Sequence, residues 1–275
     1  EMSATITAAD INKLRQATGA GMLDCRKALT ESNGDFEAAI DWLRKQGQKV
    51  AAKRSDREAK EGVILAKTTA DNKAGIIVCI SCETDFVSKN ADFVAFAQTI
   101  ADAAVSNNVK SAEELNEVVI NGAKVSDLIN DKLASIGEKI EVSKFERVEA
   151  PYVASYIHGA NRMGVLVGLT KESAEAGKDV AMQIAAMNPL AVDESSIPAD
   201  VIEREKNIAI EVVKAEGKPA EMAEKIAMGK LNKFFKDNTL MAQAFVKDAN
   251  KSVADYLKGI DADLKVTEFK RVALG

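Results

Sequence analysis

KIEVSKFERV, residues Lys139–Val148, is followed much later by DLKVTEFKRV, residues Asp263–Val272. The two segments align without a gap, and the same residues recur at matching positions: Val142, Phe145, Arg147 and Val148 with Val266, Phe269, Arg271 and Val272. Upstream, AGIIVCIS (Ala74–Ser81) has the same pattern as MGVLVGLT (Met163–Thr170). Only two copies of this plan are present, which indicates a duplicated subdomain and not a solenoid.

The repeated unit predicts an α+β fold with antiparallel sheets, divided into an N-subdomain at 62–150 and a C-subdomain at 151–275. GVILAKTT (62–69) and AGIIVCIS are β-type runs on either side of ADNK, which is typical of a hairpin. Amphipathic helices follow in the first copy; the apolar positions that predict the first of them are Phe93, Phe96, Ala97, Ile100 and Ala104.

The segment 5–47 predicts a three-helix module with a thin core. Thr7 and Asp10 have the spacing of a capping box, and Asp35 can cap the third helix, which we expect to end at Gly47. A module this small is marginally stable alone and suits docking onto another surface. The charged stretch 48–61 lacks a fixed apolar face and predicts a linker.

The second copy carries an insertion at 198–236 that predicts an antiparallel helical hairpin. Gly217 suits the end of one helix and Pro219 the start of the next. The apolar seam is expected at Val201, Ile208, Val212 and Ala215 on one helix and at Met222, Ile226, Leu231 and Phe234 on the other. A two-helix hairpin buries only one seam, so it either protrudes toward a partner or folds back on its own subdomain.

Composition limits the class of protein. Among 275 residues, 47% are hydrophobic and 29% charged, so the chain is globular, and a net charge of −5 argues against a general nucleic-acid binder. The apolar runs are too short for a membrane span, and no leader pattern precedes Thr5. Three cysteines fit a reducing cytoplasm.

Residues for catalysis or metal binding are scarce. His158 is the single histidine, so a His-based metal site is unavailable. Cys79 and Cys82 form one CxxC, but three-residue spacing in a strand puts the two sulfurs on opposite faces. No phosphate-binding glycine motif is present. The residues alone thus favour a cytoplasmic interaction protein, without enzyme activity, cofactor or metal.

Three stretches, taken in order, carry a family resemblance: LRQATGAGMLDCRKAL (14–29), CETDFV (82–87) and EGKPAEMAEKIAMGKLNKFF (216–235). Together they closely resemble the bacterial elongation factor Ts family, and the resemblance covers essentially the whole chain. It implies a ubiquitin-associated-type (UBA-like) N-terminal module, a duplicated core and a protruding antiparallel coiled coil. It also implies nucleotide exchange on the GTPase elongation factor Tu, bound preferentially without nucleotide, with no direct contact to nucleic acid or membrane.

The resemblance also implies which residues contact the partner. One segment approaches the GTPase nucleotide site and helps to displace magnesium; it consists of Thr84, Asp85, Phe86 and Val87. The contacts of the N-terminal module correspond to Arg15, Met22, Leu23 and Arg26, and a contact of the C-subdomain corresponds to His158. Leu23 stands where a second methionine is common in the family.

The sequence leaves open alternatives for the role of Phe86 and for the function of the protein. Phe86 is either an exposed side chain that intrudes on the partner or an ordinary core residue beside a turn. The protein is alternatively an adaptor that binds partners through its UBA-like module, or a redox enzyme that uses Cys79 and Cys82. Self-association is also open.

Overall fold

The structure is a computed structural model that describes residues 5–275, apart from the side chain of residue 220. The expectation about a leader concerns residues 1–4, which lie outside the described residues. Helices and small antiparallel sheets alternate along the chain, so the predicted α+β class is confirmed. Within residues 5–275, no helix is both long and apolar enough to cross a lipid bilayer.

The N-terminal module contains three helices: α1 (Ala8–Thr18), α2 (Met22–Glu31) and α3 (Phe36–Lys53). The predicted capping box is present, because the Asp10 N–H donates to Thr7 Oγ1 at 3.2 Å and the Thr7 N–H donates to Asp10 Oδ2 at 3.1 Å. Asp35 caps α3 by accepting the Ala38 N–H at 3.0 Å. The small core consists of Leu14, Cys25, Ala28, Leu29 and Ala39, with partly buried neighbours.

The first copy of the repeat follows the predicted order. Its elements are β1 (Glu61–Thr68), β2 (Ala74–Cys82), α4 (Asp85–Ser88), α5 (Ala91–Ser106), α6 (Ala112–Glu117), β3 (Val119–Ile120), β4 (Ala123–Lys124), α7 (Val125–Ile136) and β5 (Glu141–Glu149). The strands form an antiparallel sheet in the order β1-β2-β5. Phe93 and Ile100 of α5 are fully buried against one face of this sheet, which confirms the predicted amphipathic helix.

The third helix does not end at Gly47, and that prediction was wrong. α3 continues to Lys53, into the segment predicted as a linker, and packs against α7. A Cβ atom at Gly47 would lie 3.0 Å from the Asn130 carbonyl oxygen. The glycine is therefore a point of close approach between two helices, and not a helix end.

The second copy repeats the plan and carries the insertion. Its elements are β6 (Tyr152–His158), β7 (Met163–Leu169), α8 (Ala174–Met187), α9 (Ala199–Ala215), α10 (Ala220–Asn238), β8 (Ala244–Phe245), β9 (Asp248–Ser252), α11 (Val253–Ile260) and β10 (Val266–Ala273). The antiparallel order β6-β7-β10 matches β1-β2-β5 in the first copy. The predicted duplication is therefore present in the topology as well as in the sequence.

The two sheets share an apolar layer between them. It consists of Ile64, Ala66, Ile77, Cys79, Val148, Val153, Leu166 and Val272. Gly75 and Gly164 occupy equivalent positions of the repeat, and each permits close approach from the other copy. A Cβ atom at Gly75 would lie 2.8 Å from Leu166 Cδ2, and one at Gly164 would lie 2.9 Å from Ile64 Cγ2.

α9 and α10 form the predicted antiparallel hairpin, with Gly217 at φ +74° in the connection. Its buried seam, however, differs from the expected one. The buried positions are Ala209, Val213, Ala223, Ala227, Leu231 and Phe235, whereas Ile208, Val212 and Met222 are exposed. Leu231 is buried as predicted. At several of the other buried positions small residues allow the helices to pack closely, so counting only the large apolar residues misplaced most of the seam by one position.

The hairpin protrudes. Within the described residues, neither helix packs extensively against an element other than its partner helix. Its base is tied to the second copy through the backbone, because the Leu190 N–H donates to the Asn238 carbonyl at 2.8 Å and the Leu240 N–H donates to the Ala191 carbonyl at 2.9 Å.

Candidate functional site

The segment Thr84–Val87 forms a single helical turn where β2 runs out. Thr84 caps α4, and its Oγ1 accepts the Val87 N–H at 3.5 Å. The Cys82 thiol donates to the Thr84 carbonyl at 3.3 Å, so the end of the buried strand is joined to the turn. The Ser88 hydroxyl donates to the Asp85 carbonyl at 3.2 Å and closes the other end. These bonds define the segment that we call the TDFV turn, residues 84–88.

Within the TDFV turn, the side chains differ sharply in their exposure to solvent. Val87 packs on the core of the first copy, and Ser88 is buried. Phe86 directly precedes these two residues and is 85% exposed. The alternative in which Phe86 is a core residue is therefore wrong. An exposed phenylalanine on an ordered turn is costly to leave in water and suits a contact with another molecule.

Asp85 lies beside Phe86 and is partly exposed. Its carboxylate pairs with Lys89 Nζ at 3.2 Å across one helical turn. Such a surface pair contributes little to stability, so the carboxylate can exchange this contact for a donor on a partner at little cost.

The TDFV turn is an insertion relative to the second copy. Ser81 aligns with Thr170, after which only Lys171 and Glu172 precede Ser173, the cap of α8. In the first copy, residues 82–89 intervene before Asn90, which caps α5. The second copy closes its sheet onto α8 with the short connection, so the extra residues of the first copy are not required for this part of the fold.

The TDFV turn is also held by hydrogen bonds to a residue that we did not predict from the sequence. Glu138, just beyond α7, accepts three hydrogen bonds: from the Glu83 N–H at 3.0 Å, the Thr84 N–H at 2.9 Å and the Thr84 hydroxyl at 2.7 Å. In return the Lys139 N–H donates to Glu83 Oε1 at 2.7 Å. The one available signal was the alignment of the repeats, in which Glu138 corresponds to Ala262.

The predicted module residues lie on two consecutive helices, α1 and α2. Met22, Leu23 and Arg26 share the first turns of α2, where Met22 is 56% and Leu23 82% exposed. Arg15 is exposed in the last turn of α1. Two large apolar side chains in solvent, with arginines nearby, form a patch that suits protein binding.

His158 ends β6 and is exposed. Its Nδ1 lies 2.9 Å from Tyr156 Oη. The following turn is fixed to the other copy by two hydrogen bonds. The backbone carbonyl of Asn161 accepts the Ile64 N–H at 2.8 Å, and the side-chain amide of Asn161 donates to the Ile64 carbonyl at 3.2 Å. The structure thus places the predicted contact residues in three separate regions: α2 with the end of α1, the TDFV turn, and β6.

The cysteines do not form a redox site. Cys79 lies in the layer between the sheets and Cys82 in the core of the first copy, on opposite faces of β2 as predicted. Burial raises the pKa of both thiols, to about 12 for Cys82, where the Glu138 charge adds to the rise. Both therefore stay protonated and unreactive near neutral pH. Among residues 5–275, no group of histidine, cysteine or acidic side chains is arranged to hold a metal ion.

The chain is similar to known proteins over nearly its whole length. A family model described as Elongation factor TS matches residues 83–275. The chain is 51% identical to the elongation factor Ts of Christiangramia forsetii over 275 residues, covering 99% of this chain and 100% of that protein. It is likewise 51% identical to the one of Flavobacterium psychrophilum, with the same coverage. At a greater distance it is 45% identical to the one of Methylococcus capsulatus, covering 98% of this chain and 92% of that protein. The chain belongs to the elongation factor Ts family of bacterial translation factors.

Proposed function

We propose that this protein is the nucleotide-exchange factor for the GTPase elongation factor Tu. It binds the GDP form, disturbs the site that holds magnesium and phosphate, and accelerates GDP release so that GTP can bind. The cytoplasm is the proposed location, because translation elongation takes place there. The exposed Phe86 on an ordered turn found in only one copy of the repeat is the observation that carries the proposal.

The proposed action on the partner is indirect. Magnesium in a GTPase bridges the phosphates through an exacting octahedral shell of oxygens. Phe86 does not need to touch the ion. A bulky side chain that displaces the residues and waters ordering this shell weakens the hold on the metal. The phosphate charge is then less well compensated, and the diphosphate leaves faster.

Asp85 is proposed to set the approach of Phe86. The two residues are adjacent on a turn whose remaining side chains face inward, so they meet a partner together. A carboxylate can accept charge-assisted hydrogen bonds from backbone N–H or basic groups of the GTPase. Such bonds are directional and therefore fix orientation as well as adding affinity.

The α2 patch of Met22, Leu23 and Arg26, with Arg15 beside it, is proposed as a second contact with the same GTPase, and His158 as a third. The apolar side chains supply affinity and the arginines orientation. The exposed apolar side chains Ile208, Val212 and Met222 on the hairpin are available for a further contact. No covalent chemistry is involved, so the protein accelerates exchange without being an enzyme in the chemical sense.

Release of a fluorescent GDP analogue from purified elongation factor Tu, with and without this protein, tests the proposal. Catalytic amounts should accelerate release in the presence of excess unlabelled nucleotide. An unchanged rate despite binding would contradict exchange activity and favour the adaptor. In that case Phe86→Ala would leave binding unaffected, whereas Met22→Asp would abolish it.

A further inference from the structure

We propose that Glu138 is a positioning residue for the TDFV turn: its carboxylate holds residues 83–84 so that Phe86 projects in a fixed direction. The inference rests on the proposed exchange function but concerns a residue outside the predicted contact segments. Glu138 is partly buried and lies more than fifty positions from the turn along the chain.

The TDFV turn needs such an anchor. α4 has only four residues, and a single helical turn is not stable by itself because nucleation fixes several dihedral angles for one hydrogen bond. Its own cap is weak, since the bond from the Val87 N–H to Thr84 Oγ1 is 3.5 Å long. The three bonds to Glu138 are 2.7–3.0 Å long and involve a carboxylate acceptor. Bonds of this type are about twice as strong as neutral ones.

Glu138 is itself held on both sides. The preceding Gly137 adopts φ +86° and ends α7, with its N–H donating to the Leu133 carbonyl at 2.8 Å. Two residues later, Ile140 is buried in the core of the first copy. The corner between α7 and β5 is therefore rigid, and a carboxylate mounted on it can transmit that rigidity to the turn.

The second copy provides an internal comparison. The equivalent corner connects α11 to β10, and Leu264 is buried there as Ile140 is in the first copy. At the position of Glu138 this corner has Ala262, and the second copy also lacks the inserted turn. The carboxylate and the inserted turn are present together in one copy and missing together in the other. The fold of the corner thus does not need the carboxylate, which supports a role for Glu138 in holding the turn.

Amide hydrogen exchange of the free protein gives a test that is independent of any partner. In Glu138→Ala, the Glu83 and Thr84 amides should exchange about tenfold faster or more, while the core of the first copy keeps its protection. Glu138→Gln should lose less protection than Glu138→Ala, because its amide oxygen still accepts both N–H bonds, although as weaker neutral ones. Glu117→Ala is the matched control, since it removes a carboxylate paired only with the exposed Lys124. Unchanged exchange at both amides in Glu138→Ala would overturn the proposal.

The exchange assay then tests the consequence for function. Stimulated GDP release should be about tenfold slower with Glu138→Ala, with Glu138→Gln restoring most of the rate. In a Phe86→Ala background, Glu138→Ala should cause little further loss, because it acts only through the turn. Fully additive losses, or a Gln variant as slow as the Ala variant, would reject the positioning role. If wild-type protein fails to stimulate release, the proposed function is at fault, and amide exchange still decides the role of Glu138.

Discussion

At the scale of single residues, Phe86 and Phe93 are the same side chain in opposite surroundings. Phe86 is 85% exposed on α4, and Phe93 is 1% exposed on the neighbouring α5. The same substitution should therefore affect different properties at the two positions. Folding stability depends on the buried ring, and the proposed exchange activity depends on the exposed one.

We expect Phe86→Ala to slow stimulated GDP release about tenfold or more, as for the loss of an interface anchor, while the free energy of unfolding changes by no more than about 0.5 kcal/mol. Phe93→Ala is the matched control and should cost about 3–5 kcal/mol of stability. Denaturant unfolding and the exchange assay, run on both variants, separate the two roles. A Phe86→Ala protein that melts several degrees lower yet drives exchange at the normal rate would contradict this assignment.

Asp131 on α7 should make stability depend on pH. Burial raises its pKa to about 6; Arg44, whose Nε is 3.8 Å away, opposes the rise, and Asp127 adds to it. Between about pH 4 and pH 6 the Asp131 carboxyl stays protonated in the folded protein but is deprotonated in the unfolded chain. The contribution of Asp131 to folding stability therefore falls as pH rises. Relative to wild type, Asp131→Asn should become more stable by up to about 2–3 kcal/mol on going from pH 4 to pH 7.

The comparison of the two proteins across pH isolates Asp131 from the other carboxylates, which titrate in both. Thermal melts at pH 4, 5, 6 and 7 provide the data. If the stability difference does not vary with pH, or if wild type gains on the variant as pH rises, Arg44 keeps the carboxylate charged and the expectation is wrong.

At the scale of elements, the hairpin is separate from the cores of both copies. Its base forms a small cluster with Ala191 and Ile197, to which Val201, Leu231 and Phe235 contribute. Replacing residues 203–229 by a short glycine-serine bridge retains this cluster. We expect the melting temperature to change by no more than about 4 °C. Cooperative unfolding of the deletion variant at room temperature would show that the hairpin supports the core.

The α2 patch should contribute affinity and not stability. Met22→Asp places a charge in the exposed apolar pair and should weaken binding to elongation factor Tu about tenfold or more, without lowering the melting temperature of the core. Gln48→Asp adds the same charge to an exposed position of α3 and serves as the control, with affinity expected to stay within about twofold. Equal affinities of wild type and Met22→Asp, measured by calorimetry, would remove the module from the interface.

Most elements could be predicted because their signals are local. Thr7 and Asp35 cap helices that begin one residue later, and the repeat itself located β5 and β10. The errors concern contacts between distant segments. Gly47 looked like a helix end because its close neighbour, Asn130, is far away in the chain.

The candidate site, too, could be predicted only where its signals are local. The motif identified Phe86, but its exposure depends on the inward direction of Val87 and Ser88, which only the folded turn defines. Glu138 was missed altogether, because its three hydrogen bonds cross from one end of the repeat to the other.

At the scale of the whole molecule, the proposed contacts belong to one connected body. α3 packs on α7, and beyond the helix the Lys139 ammonium donates to the Ser55 carbonyl at 2.7 Å and the Arg57 carbonyl at 3.1 Å. The two copies share the layer between their sheets. The α2 patch and the TDFV turn are therefore presented together, and binding by one helps to align the other.

This arrangement predicts a reciprocal effect between nucleotide and exchange factor. Suppose that this protein binds the nucleotide-free form of elongation factor Tu more tightly than the GDP form. GDP then lowers the affinity of elongation factor Tu for this protein, and this protein lowers its affinity for GDP by the same factor. Couplings of this kind are typically about 5–150-fold. Phe86→Ala should reduce this coupling, because the intruding side chain is its proposed cause; the two factors must fall equally, since they express one coupling free energy. Magnesium chelation should also reduce both, since no metal is left to displace. The check is to measure four affinities of elongation factor Tu: for GDP with and without this protein, and for this protein with and without GDP. A Phe86→Ala protein with undiminished coupling would show that the coupling arises at another contact, such as the α2 patch.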